Sequence, residues 1–139
     1  MGVIPFSMDG LDHAFVAAVL GYEHGIGVRS GCFCAHPYLA HLLGLTPGEV
    51  GSWIDMVGRG DKRGAPGLVR MSLGCYSDRR DVDRAVEAIE RLVAGEVDGH
   101  YDQGLDGTYV PAGYHEPRLF DLARRVPPLW SRREARVRG

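Results

Sequence analysis

The chain has 139 residues, enough for one ordinary domain with its own core and too few for two substantial ones. Hydrophobic residues at 45% and charged residues at 24% give the balance of a globular chain, and no uninterrupted apolar run approaches membrane-spanning length. The formal net charge of −2 divides unevenly, because seven Arg against Asp121 and Glu134 make the segment from Pro117 onward +5 and leave −7 on residues 1–116.

In chain order, Gly2 to Met8 reads as a strand with Val3, Ile4 and Phe6 as its apolar members, and Pro5 marks it as an edge strand. Asp9 and Gly10 break it. Leu11, Phe15, Ala18 and Val19 fall at helical spacing, with Asp9 or Asp12 placed to cap the first turn. Ile26 to Arg29 alternates, so the two aliphatics Ile26 and Val28 share one face and Arg29 points away from it. Gly31 frees a turn that carries Cys32, Phe33 and Cys34, and Pro37 suits the first turn of a helix through Tyr38, Leu39, Leu42 and Leu43 that Gly44 stops. Cys34 thus stands just ahead of a helix start, where unpaired amides and the helix dipole stabilise negative charge on a thiol.

Thr46-Pro47-Gly48-Glu49 is a capping-box start for a helix whose buried side is Val50, Trp53, Ile54 and Val57. Gly58 to Gly67 reads as an exposed loop and holds Lys62, the one lysine of the chain. Leu68 to Leu73 alternates again, with Val69, Met71 and Leu73 on one face and Arg70 on the other. Ser77 is expected to cap the longest helix, with Asp78 and Asp81 in its first turn and a buried stripe of Val82, Ala85, Val86, Ile89, Leu92 and Val93. Cys75, just after the strand, is expected against the core. Residues 98–116 show no sustained periodicity, and 117–126 suit one or two amphipathic turns ended by Pro127 and Pro128. The expected fold is α/β: a small mixed sheet of three or four strands with helices mainly on one face.

Three cysteines, two of them two positions apart, argue for free thiols rather than a disulfide framework. Nothing at the N-terminus has the form of a secretion signal, so a cytoplasmic location is expected. The absence of any nucleic-acid motif makes the basic tail a solvated terminus, and neither a nucleic acid nor a membrane is expected as a partner.

The segments Gly-Ile-Gly-Val-Arg-Ser-Gly-Cys-Phe-Cys-Ala-His-Pro, Val-Arg-Met-Ser-Leu-Gly-Cys-Tyr-Ser and Asp-Val-Asp-Arg-Ala-Val-Glu-Ala-Ile, taken together, resemble the C-terminal small domain of class V aminotransferases, with cysteine desulfurases among its well-known relatives. The resemblance covers residues 3 to about 94 and implies a domain over 1–97, followed by a Gly/Tyr-rich extension and Arg-rich tail over 98–139. It implies that Cys34 is the catalytic cysteine that takes sulfur from a pyridoxal-phosphate-bound cysteine, and that Arg70 holds the substrate carboxylate. Arg29 is a second candidate, either for steering the same anion or for bracing the loop, and His36 is a candidate for orienting the loop. The chemistry suits these residues, since the thiolate is the nucleophilic form of cysteine and a guanidinium fork matches a carboxylate.

The family's Schiff-base lysine, phosphate cradle and pyridine-stacking residue belong to a large domain that precedes this one, and Lys62 in its charged loop is a poor substitute for a sheltered imine-forming lysine. The chain is therefore expected to bind no pyridoxal phosphate by itself, to be inactive alone, and to need the missing large domain, an amino-acid substrate and, at full length, a second copy as a homodimer. Three readings compete with a desulfurase: a class V aminotransferase domain without desulfurase chemistry, a non-catalytic interaction module, and a zinc-binding module using Cys32, Cys34, His36 and His41. The spacing of those four suits a zinc site badly, and no metal ligand is expected.

Overall fold

A computed structural model of the chain describes residues 2–115. Its strands are β1 (Gly2–Phe6), β2 (Arg29–Gly31), β3 (Leu68–Leu73), β4 (Tyr101–Gln103) and β5 (Tyr109–Pro111). Its helices are α1 (His13–Tyr22), α2 (His36–Leu42), α3 (Pro47–Gly58) and α4 (Arg79–Val93). β3 is central, with β1 on one side and β2 on the other, both antiparallel to it. β1 and β2 therefore run parallel to each other across β3, linked through α1, which is a split β-α-β arrangement. The small α/β domain read from the sequence is present. Its described pairings are antiparallel throughout rather than mixed, because β3 enters between the two parallel strands and keeps them from touching.

The register sets the two faces of the sheet. Phe6 lies opposite Val69 and Ile4 opposite Met71 on the face that α1 covers, whereas Pro5 and Arg29 both lie opposite Arg70 on the other face. Val16, Val19 and Leu20 of α1, Val69 of β3, and Ala88 and Leu92 of α4 make the buried core, with Phe6, Ile26 and Val28 packed against it. Each fully buried Val or Leu side chain contributes on the order of 1.5–3 kcal/mol relative to exposure.

α1 starts where Asp12 accepts the Ala14 amide at 2.7 Å. β2 begins three residues later than the alternation suggested: Ile26 and Val28 do pack on the core, but the ladder to β3 opens only at Arg29. α4 is capped by Asp78, in a reciprocal box with Asp81, rather than by Ser77, whose hydroxyl accepts the Gly74 amide at 3.0 Å. Its buried side is Ala85, Ala88 and Leu92, while Val82, Val86 and Val93 are exposed, since small residues permit the close approach to α1 and the sheet. Cys75 is exposed, not core-facing. α3 buries no residue and leaves Ile54 60% exposed; with α2 it forms an excursion between β2 and β3, and its Trp53 stacks on His36 of α2.

Beyond α4, where no element was expected, β4 and β5 form a hairpin on the flank of α1. Phe15 meets Tyr101 and Tyr109 edge-on, and Tyr22 meets Tyr114. Glu23 ties the approach to this hairpin by accepting the Asp98 and Gly99 amides at 3.1 Å each and the Tyr101 hydroxyl at 3.0 Å. The amphipathic turns expected over 117–126 and the Arg-rich tail lie outside the described residues. No helix among the described residues is long and apolar enough to cross a membrane.

Candidate functional site

Gly31, with φ +112, ends β2 and admits a tight turn from Cys32 to Ala35, closed by the Ala35 amide donating to the Cys32 carbonyl at 2.8 Å. Both central residues are left-handed, Phe33 at φ 51 and Cys34 at φ 62. Positive φ at both centres is the mark of a type I′ turn, normally filled by Asn and Gly. Non-glycine residues there cost roughly 1–2 kcal/mol each. The strained turn sets Cys34 in solvent and keeps Cys32 half-buried.

Arg29 and Arg70 face each other as a cross-strand pair on the sheet face away from α1. Like charges in that position oppose pairing. No ion pair among the described residues involves either one. The guanidiniums instead share the Phe33 ring, at 5.9 Å for Arg29 and 5.1 Å for Arg70 from its centroid. Contacts of this kind contribute about 0.5–1 kcal/mol each at exposed sites and partly offset the repulsion. Arg70 is half-buried, and its Nε is shielded from solvent with no hydrogen-bond partner. Two convergent cations, with a shielded donor that has no partner among the described residues, could hold an anion, and a carboxylate would match the fork.

On the α1 side of the turn, Cys32 Sγ and His36 Nε2 are 3.0 Å apart, and the His36 ring stacks on Trp53 with centroids 5.1 Å apart. The pair lines a cavity of about 370 Å³ with His13, Ser30, Trp53 and Lys62. His13 Nε2 faces the Ala65 carbonyl at 2.9 Å and must donate to it, which leaves its buried Nδ1 as an unpaired acceptor. Trp53 Nε1 is a buried, unpaired donor. Gly67 is required beneath His13, since a Cβ there would collide with the ring. Lys62 itself is exposed.

The family model described as aminotransferase class-V matches residues 1–85, from β1 into α4. The chain belongs to the class-V aminotransferase family. It is 34% identical over 136 residues, 85% of its own length, to molybdenum cofactor sulfurase 2 of Culex quinquefasciatus. It is 32% identical over 91 residues, 66% of its length, to a probable cysteine desulfurase of Vibrio cholerae, and 37% identical over 86 residues, 62% of its length, to one of Pseudomonas aeruginosa. The chain spans only 17%, 17% and 16% of those three relatives. No solved structure matches it.

Within this class-V chain, the structure brings Arg29, Arg70 and the turn bearing Cys34 together at one end of the sheet. It turns His36 toward Cys32 rather than Cys34. Phe33, Trp53 and the partnership of Cys32 were not singled out from the sequence. The nearness of Cys32 and His36 in the chain was the only signal for the pair, and the contact itself depends on the tight turn from Cys32 to Ala35 that brings the helix start back to the thiol. Nothing in the sequence signalled that one aromatic ring would serve both guanidiniums.

Proposed function

We propose that this chain is the substrate-facing small domain of a pyridoxal-phosphate-dependent cysteine desulfurase, in which Arg70 and Arg29 hold the amino-acid carboxylate and Cys34 receives the sulfur. The observation that carries this reading is a guanidinium pair with no ion-pair partner among the described residues, its Arg70 Nε shielded and its Arg29 five positions in the chain from the exposed thiol of Cys34. The relatives named as cysteine desulfurases support the same chemistry.

Full-length members of the family depend on pyridoxal phosphate, which supplies the electron sink that lets a carbon–sulfur bond break. The described residues do not fit as its holder, because the one lysine is exposed on a loop and an imine-forming lysine needs shelter to lower its pKa. What this chain contributes is orientation and a nucleophile. The forked contact fixes the substrate by its carboxylate, and the positive-φ turn holds the Cys34 thiol out of the core where it accepts the substrate sulfur as a persulfide.

The test is made in the enzyme assembled with its large domain. Cys34→Ser is expected to abolish persulfide formation from cysteine with cofactor absorbance unchanged. Arg70→Ala is expected to raise KM about tenfold to a hundredfold, the worth of hydrogen bonds to a charged group. Full turnover by Cys34→Ser would overturn the desulfurase reading in favour of plain class V aminotransferase chemistry, which needs no nucleophilic cysteine.

A further inference from the structure

The two cysteines of the turn differ in their surroundings. Cys34 is exposed at the end of the sheet that carries Arg29 and Arg70, whereas Cys32 lines the cavity beneath α1. Only Cys32 has a basic partner, His36 Nε2 at 3.0 Å, and that imidazole is itself held by its stack on Trp53. A thiol within hydrogen-bond reach of an imidazole, oriented by a third group, is the arrangement of an activated nucleophile. The desulfurase reading leaves this pair without a task.

We propose that Cys32, with His36 as its base, is a second sulfur carrier that draws the outer sulfur from a Cys34 persulfide and presents it inside the cavity to a small thiol. The inference rests on the desulfurase reading of Cys34. Cys32 gives its proton to His36, and the thiolate attacks the outer sulfur of Cys34–S–SH. The bond between the two sulfurs on Cys34 breaks, its electron pair leaves on Cys34 Sγ, and the proton held by His36 returns to that thiolate through water. Cys32–S–SH and Cys34–SH result, with no net oxidation or reduction. A persulfide lengthens the Cys34 side chain by one S–S bond, about 2 Å, which favours reach across a turn only four residues long. Attack at the inner sulfur would instead close a Cys32–Cys34 disulfide in a very small, strained ring and lose sulfide, so the geometry directs attack outward.

The cavity also defines the acceptor. A space of about 370 Å³ excludes a protein and admits a small molecule. The acceptor class is a small thiol, of a size that fits beside Cys32.

A pulse and chase on the 139-residue chain tests the relay. The protein is pulsed briefly with inorganic polysulfide, freed of reagent and sampled over time by alkylation and mass spectrometry of the peptides holding Cys32, Cys34 and Cys75. Sulfur on Cys34 should fall as sulfur on Cys32 rises, at a rate independent of protein concentration, while exposed Cys75 keeps its share. In Cys34→Ser no rise at Cys32 should follow the pulse. His36→Phe, which keeps the stack on Trp53, and His36→Gln should load Cys34 normally and slow the rise about a hundredfold or more, the lower end of the range for a lost general base. The relay is overturned by sulfur that stays on Cys34 in the unmodified chain, by unchanged transfer in both His36 variants, or by a Cys32–Cys34 disulfide appearing with free sulfide. Failure of Cys34 to take sulfur in Cys32→Ser, while Cys75 does, would sink the relay together with the reading beneath it; sulfur that loads Cys34 and never moves sinks the relay alone.

Discussion

Arg29 and Arg70 carry opposite consequences for binding and for stability. As a cross-strand pair of like charge they oppose the sheet by roughly 0.2–1 kcal/mol, so Arg29→Gln is expected to leave urea stability equal or slightly higher while weakening retention of an amino-acid carboxylate. A stability loss above about 1 kcal/mol in that variant would show that Arg29 is a structural brace. Phe33→Leu should lower stability, through loss of both ring contacts, by about 1 kcal/mol. Alternation alone placed Arg29 and Arg70 on the polar sides of their strands. Their direct opposition was not legible, because it depends on a register between residues 41 positions apart that no local pattern encodes.

At the scale of elements, Glu23 decides how the β4–β5 hairpin is held. Burial alone would push its carboxyl up, yet hydrogen bonds from the Asp98 amide, the Tyr101 hydroxyl and the Gly99 amide bring it below the usual value of 4.5. A carboxyl depressed by folding stabilises the fold above its unfolded value, and that contribution disappears as pH falls through the lower folded value. Hydrogen exchange at Asp98 and Gly99 should therefore gain an extra opening below about pH 4.5 that α1 does not share, and Glu23→Gln should remove the pH step. A step that persists in Glu23→Gln would assign it elsewhere. The cap of α4 gives a second check: Asp78→Ala should cost about 1 kcal/mol in thermal or urea unfolding, and Ser77→Ala less. Two acceptors in a row, Ser77 and Asp78, made both plausible in the sequence, and only the backbone at Gly74 decides which one faces the helix. The Thr46 box was legible because its residues satisfy each other locally. The exposure of Ile54 was not, since the apolar spacing of α3 is the same whether it covers a core or a neighbouring helix.

For the whole molecule, the alternating strands and the α1 pattern were enough to indicate a small α/β domain, and the matched family agrees with that outline. The hairpin was invisible because three-residue strands rich in Tyr and Gly carry no period to read. The lysine count has a direct consequence. Mixed with pyridoxal phosphate, the chain is expected to give no stoichiometric imine band, and a band lost in Lys62→Ala would contradict the assignment of cofactor binding to another domain. β3 is the sheet's central strand and also carries Arg70, and this has a temporal consequence during synthesis. Gly2 pairs with Leu73 and Arg29 with Arg70, so a nascent chain that has emerged only as far as α3 has two strands with nothing between them. The last of this sheet's three strands to leave the ribosome, β3, closes it and sets the two guanidiniums face to face in one event. Premature release before residue 73 would thus yield a chain that exposes two unpaired strands and lacks the guanidinium pair, a substrate for chaperones and proteases rather than a weakened domain.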